Sequence, residues 1–148
     1  MSKINIEVRY PSHQDDARHY DTATLRKHYL VEKIMAPDEI NLCYSMFDRI
    51  IVGGAMPVAE KLTLTSPDIL RSEYFTQRRE VGVINVGGRG AVTVGSDRYE
   101  LEFKEAMYIG RGDRHIVFES LDAEHPAKFY FNSAPAHKEY PCKKVSKK

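Results

Sequence analysis

Tryptophan is absent from the 148 residues and cysteine occurs only twice, at Cys43 and Cys142. The two thiols are far apart in the chain and form no CxxC pair. That excludes a disulfide framework and a cysteine-rich zinc site, and makes reduced thiols in a cytoplasmic compartment the expectation. An excess of one charge is missing as well: 22 Lys and Arg face 21 Asp and Glu, a net of +1 with neutral histidines. General binding to nucleic acid or to an anionic membrane needs a positive field, so neither partner is expected. Apolar runs of bilayer length are absent, which excludes a helical membrane span. The opening Met1–Tyr10 breaks its apolar residues with charges and holds no signal-peptide core. Internal repeats and low-complexity tracts are missing too. What is present, 42% hydrophobic and 29% charged residues, suits one globular domain with a buried core rather than a disordered chain.

Gly and Pro cut the chain into short segments, most of which predict strands. Ile4, Ile6, Val8 and Tyr10 alternate with polar residues, the period-two pattern of a half-buried strand. The polar stretch after Pro11, with His13 and His19, predicts a loop. Asp21 or Thr22 then caps a short helix in which Leu25 and Tyr29 fall one turn apart. Pro37-Asp38-Glu39 predicts a turn. Ile40, Leu42, Tyr44 and Met46 alternate again, and a run from Asp48 to Val52 ends at Gly53-Gly54. Ser66-Pro67-Asp68 predicts a helix start, with serine as cap and proline first. Six further strands are expected over 77–86, 91–94, 98–103, 106–109, 115–119 and 128–132. They are separated by short turns, among them Gly87-Gly88-Arg89-Gly90 and Gly110–Arg114. Short strands without long helices between them indicate a sandwich or barrel, not a parallel βαβ sheet.

The specific form of that picture is a cupin-type, jelly-roll-like antiparallel β-barrel, mainly β, with one or two short helices near the amino-terminal half. The first cupin metal motif resembles two histidines, a glutamate and a glycine at fixed spacing. Here Glu80 and Gly87 are so spaced, but Tyr74 and Thr76, or Glu73 and Phe75, stand where the histidines belong. The second motif resembles PxGxxH; Gly112 and His115 fit it, with Gly110 in place of proline. Two donors are too few for a dedicated metal site. Glu80 paired with a neighbouring arginine, and His115 as a half-buried ring with one hydrogen bond, account for both residues without a metal.

Longer strings carry a more specific signal: Leu30–Ile34 (LVEKI), Asp48–Gly54 (DRIIVGG), Arg78–Gly88 (RREVGVINVGG), Pro126–Tyr130 (PAKFY) and Pro135–Pro141 (PAHKEYP), in this order. They resemble the amino-terminal half of the 5-keto-4-deoxyuronate isomerase family, enzymes of bacterial pectin breakdown, over about 18–145. The resemblance implies two cupin-type barrels in one chain and a homo-oligomer, a hexamer in the family. It implies a small deoxy-ketouronate as substrate and zinc held by histidines and a glutamate of the second barrel. None of that ligand motif occurs here, so no metal is expected on this chain. The expected division is an N-terminal strand and loop at 1–20, a cupin-like barrel over 21–135, and a C-terminal linker or tail over 136–148. Whether the chain is a fragment or a natural single-barrel protein stays open.

The implied reaction, ketol isomerisation of 5-dehydro-4-deoxy-D-glucuronate, needs a base, a stabiliser for enediolate oxygens, and a cation for the substrate carboxylate. Candidate substrate contacts are Arg49 at the head of an apolar strand, Arg78, Arg79 and Glu80 before the glycine-rich turn, and His115. Cross-strand charge pairing on a barrel wall is the preferred account of the first four, ahead of ligand binding. Gly87–Gly90 suits a hairpin better than a phosphate loop, since no helix start follows it. Beside the isomerase reading stand a non-catalytic degenerate cupin module, for oligomer assembly or acidic-sugar binding, and a standalone metal-dependent cupin using Glu80 and His115.

Overall fold

Alternation of apolar and polar residues decides the architecture, because in a strand successive side chains point to opposite faces. The protein was analysed as a computed structural model, which describes residues 2–112 and 114–148. Met1 of the opening strand and Asp113 of the expected 110–114 turn lie outside the described residues. Eleven strands are formed among those described: β1 (Lys3–Arg9), β2 (Glu39–Ser45), β3 (Ile51–Ala55), β4 (Leu62–Thr63), β5 (Arg79–Asn85), β6 (Gly90–Val94), β7 (Asp97–Leu101), β8 (Ala106–Ile109), β9 (Ile116–Ser120), β10 (Phe129–Pro135) and β11 (Lys143–Val145). Two short helices, α1 (Gln14–Ala17) and α2 (Thr22–Tyr29), lie between β1 and β2. Neither is long and apolar enough to cross a membrane.

The strands form a seven-stranded sheet in the order β1-β2-β3-β10-β5-β8-β11 and a four-stranded sheet in the order β4-β9-β6-β7. The expected mainly-β, jelly-roll-like class is therefore observed, with two corrections. Among the described residues no ladder joins the two sheets, so they face each other as a sandwich and do not close into a barrel. One pair is also not antiparallel: β1 lies parallel to β2, with Lys3 opposite Glu39 and Arg9 opposite Ser45. The helical crossover between β1 and β2 supplies the long connection that a parallel pair requires.

The inward phase of the central strands is largely apolar. Ile40 and Leu42, Ile51 and Ala55, Val81 and Val83, Val92 and Val94, Met107 and Ile109, and Phe129 and Phe131 are buried together. Phe118 of β9 closes the gap between the sheets, its ring centroid 5.2 Å from Phe129 and 5.7 Å from Phe131 of β10. Each such ring contributes roughly 1.5–3 kcal/mol by burial. Gly53 and Gly54 serve opposite faces of β3. A Cβ on Gly53 would overlap the Phe131 ring, and one on Gly54 would overlap the Ile34 carbonyl that covers the sheet from outside.

Local chemistry explains where the elements differ from expectation. The stretch after Pro11 contains α1, because the His13 ring accepts from the Asp15 amide at 3.1 Å and acts as its cap. Asp21 caps α2 through the Thr24 amide at 2.8 Å. Ser66 does not cap the following turn: its hydroxyl bonds Ser72 at 2.9 Å, and one 3₁₀ turn, Asp68–Leu70, starts after Pro67. Residues 143–145, expected in a tail, pair with β8 as the sheet edge, supported by Lys144 against Glu105 at 3.1 Å. That return path brings the Tyr140 carbonyl against Gly110, where any Cβ would collide with it.

Asn85 ties the end of β5 to two neighbouring loops. Fully buried, its amide donates to the Gly88 and Leu101 carbonyls at 2.7 and 2.9 Å, and its oxygen accepts from the Gly87 and Lys128 amides at 3.0 and 3.3 Å. Asn85→Ala strands these partners in the interior and is expected to cost about 2–4 kcal/mol of unfolding free energy. A denaturant titration showing a loss below about 0.5 kcal/mol, the usual range of an inert surface change, would contradict that role.

Candidate functional site

The outward-inward register of β5 places Arg79 in the same phase as Val81 and Val83, at the end of the sandwich. Its side chain is buried, at 6% exposure, and an ionised group there needs partners. Arg79 Nε donates to the Ser133 hydroxyl at 2.9 Å and Nη2 to the Arg49 carbonyl at 2.6 Å. Its guanidinium carbon lies 5.7 Å from the centre of the Tyr44 ring and 5.9 Å from that of Phe75. Burial lowers its pKa from the ordinary arginine value; the Arg49 charge adds to that, and Tyr44 opposes it. An arginine stays charged at neutral pH through such a shift.

The neighbours that hold this cation are themselves unusual. Asp48 and Arg49, in the connection from β2 to β3, are consecutive non-glycine residues in the left-handed region, with φ of 55° and 54°. Each such residue costs roughly 1–2 kcal/mol. The turn presents the Arg49 carbonyl to Arg79 and leaves the Arg49 side chain exposed. Arg71, after the 3₁₀ turn, is also left-handed at φ 50°. Its carbonyl and that of Leu70 accept from Arg78 Nη2 at 2.7 and 2.8 Å. Two strained turns thus set the positions of Arg78 and Arg79.

Between them lies a recess of about 160 Å³, lined by Arg49, Arg78 and Arg79 together with Tyr44, Phe75 and Pro135. Beside it a wider trough of about 790 Å³, sharing Ser72 and Arg78, runs past Asp68, Arg71, Glu73 and Gln77. The structure therefore brings together three of the five sequence candidates. Cross-strand charge pairing is not what holds them: among the described residues, none of the three guanidinium groups meets a carboxylate within 4.0 Å.

Glu80 and His115 lie elsewhere. Glu80 is in the outward phase of β5 and accepts from the Tyr108 hydroxyl at 2.6 Å, not from an arginine. His115 is exposed rather than half-buried, in a small recess with Glu73, Tyr74 and Arg114. Tyr44, Leu70, Ser72, Phe75 and Pro135 are the recess residues that sequence reasoning missed. The available signal was Arg79 itself, an arginine in the apolar phase of its own strand.

A family model described as KduI/IolB matches residues 28–148. The chain belongs to the KduI/IolB family. Relatives within it include a 4-deoxy-L-threo-5-hexosulose-uronate ketol-isomerase of Bacteroides fragilis, 55% identical over 98% of this chain and 52% of the relative. The ketol-isomerase of that name from Formosa agariphila is 52% identical over 95% of this chain and 50% of its own length. The chain thus spans about half the length of the curated relatives it matches. Among solved structures, an RmlC-like cupin protein from Desulfovibrio desulfuricans matches with a TM-score of 0.47 and 17% identity, over 73% of this chain and 94% of that one.

The zinc implied by resemblance to this family does not fit the residues here. Phe75, Phe118, Phe129 and Phe131 fill the interior between the sheets. Among the described residues, no three of His, Cys, Asp and Glu are grouped as ligands. Glu80 is committed to Tyr108, and that pair can be measured. Burial first, then the hydrogen bond to Glu80 and its charge, push the Tyr108 pKa up to about 12. The neutral phenol is the form favoured on folding. Stability from this group is therefore present below the ordinary pKa near 10 and is lost as pH rises from about 10 to about 12. In a pH titration followed by NMR, the Tyr108 ring should titrate at about 12, and Glu80→Gln should lower its midpoint. An unchanged midpoint in that variant would show that Glu80 does not act on the phenol.

Proposed function

We propose that this chain forms the first barrel-like half of a 4-deoxy-L-threo-5-hexosulose-uronate ketol-isomerase of pectin and polyuronate catabolism. The observation that carries the reading is identity of 55% over 98% of the chain to a Bacteroides fragilis relative of that name. The reaction removes a hydrogen beside a carbonyl and returns it at the neighbouring carbon. It requires a base and a group to stabilise the enediolate oxygens. The interior of this sandwich is apolar, and among the described residues no three possible metal donors are grouped, so the hydrogen transfer and the family's zinc are assigned to the other half of the enzyme. This half contributes cationic side chains suited to an acidic sugar. A cytoplasmic homo-oligomer, with no nucleic-acid or membrane partner, completes the proposal.

Joining the chain to the carboxy-terminal half of the Bacteroides fragilis relative provides the test. The fused protein should bind zinc and interconvert the deoxy-ketouronate and its 2,5-diulosonate, while the chain alone should be inactive. Turnover by the chain alone would move the chemistry into this half. A folded, zinc-loaded fusion without turnover would overturn the isomerase reading.

A further inference from the structure

Positive charge is compensated unevenly over this protein. Arg9, Arg18, Arg26, Arg89 and Arg98 each meet a carboxylate. Arg78, Arg79 and Arg111 instead donate to backbone carbonyls at one end of the sandwich. Arg111 joins the group because Nε holds the Gln77 carbonyl at 3.0 Å, beside the trough. Carbonyls satisfy individual N–H groups without neutralising the charge. A guanidinium in a low-dielectric site gains most from an anion that occupies two of its donors at once.

The shape of the site limits that anion. The inner recess, about 160 Å³, is the smaller of the two cavities and the one lined by all three arginines, so it is assigned the carboxylate. Tyr44, Leu70, Phe75 and Pro135 form its walls, and of its three arginines Arg79 is buried while Arg49 and Arg78 are exposed. The trough that continues from it is different in kind. Asp68 and Glu73 offer acceptors, while Ser72 and Gln77 offer both donors and acceptors. Those groups suit the hydroxyls of a polyol. The two carboxylates also repel a second negative charge, which disfavours phosphate against a singly charged ligand.

We propose that Arg49, Arg78 and Arg79 form a carboxylate subsite whose trough receives the hydroxylated body of a uronate-class sugar. The assignment rests on the acidic-sugar reading given above, but needs neither turnover nor zinc. Arg79 anchors the subsite, flanked by Arg49 on the strained β2–β3 turn and by Arg78, which the Leu70 and Arg71 carbonyls hold. The residues missing from the sequence reading, Tyr44 and Phe75, hold the Arg79 guanidinium in place.

Titration of the chain alone with D-galacturonate, D-galactose and inorganic phosphate, followed by the amide resonances of Ser72 and Gln77, tests this directly. Galacturonate should give a saturable shift, and galactose, without the carboxylate, should bind at least ~tenfold more weakly. Arg49→Gln and Arg78→Gln should each weaken galacturonate at least ~tenfold, while Arg98→Gln on the far sheet should not. The same spectra report whether each variant is folded, and Arg78→Lys provides a gentler version should Arg78→Gln unfold. The proposal is overturned by the absence of a saturable shift with galacturonate, by equal binding of galactose, by tighter binding of phosphate, or by unchanged affinity in folded Arg49 and Arg78 variants. Saturable galacturonate binding alongside an inactive fused enzyme would sink the isomerase reading and leave the subsite standing.

Discussion

Two sheets that share no ladder among the described residues are held together by what lies between them, and here that is the contact of Phe118 with Phe129 and Phe131. The contact fixes which face of every strand points inward, since a one-residue slip would turn the apolar set outward. It also settles the chemistry of the middle of the molecule. The interior is apolar, four phenylalanines packed with aliphatic side chains, and the arginine-lined recess lies at one end of it. Arg79 sits where the inward register of β5 meets that end. It is the inward residue of that strand before the apolar run begins.

Holding a cation at that position draws on several parts of the fold. Ser133 comes from β10, the Arg49 carbonyl from the connection between β2 and β3, and the flanking rings from β2 and the segment before β5. Left-handed backbone at Asp48, Arg49 and Arg71 is tolerated because the surrounding elements over-determine it, and such strain gathers at binding sites more often than elsewhere. The Arg78 and Arg79 guanidinium groups are thus held by backbone and hydroxyl acceptors before any ligand arrives, which reduces the ordering cost of binding, while the Arg49 side chain stays exposed.

Much of this was legible in the sequence. Period-two alternation located β2, turn residues and the short segments between them located β5, β6, β8 and β9 to within a residue or two, and the Asp21 cap marked α2. The Arg78–Gly88 and Asp48–Gly54 strings pointed to the family before any coordinates. The rest was hidden for physical reasons. Four lysines in 143–148 mask the alternation of β11, whose pairing is supplied by β8. A histidine cap is a weak signal, so α1 read as loop. Parallel pairing of β1 with β2 is a tertiary choice that alternation cannot express. The grouping of Arg49 with Arg78 and Arg79 depends on the β3-β10-β5 order, which brings residues 30 positions apart into one recess, while outward Glu80 and exposed His115 were sent elsewhere by strand phase.

At Gly53 and Gly54 the wall of the sandwich is a single main chain thick. The Phe131 ring bears on one side and the Ile34 carbonyl on the other, with no side chain between them to absorb a displacement. A shift of the central rings is therefore transmitted, almost undamped, to the strap of chain around Ile34 that lies over the outside of β3. Mechanically, the packed centre and that outer covering behave as one body.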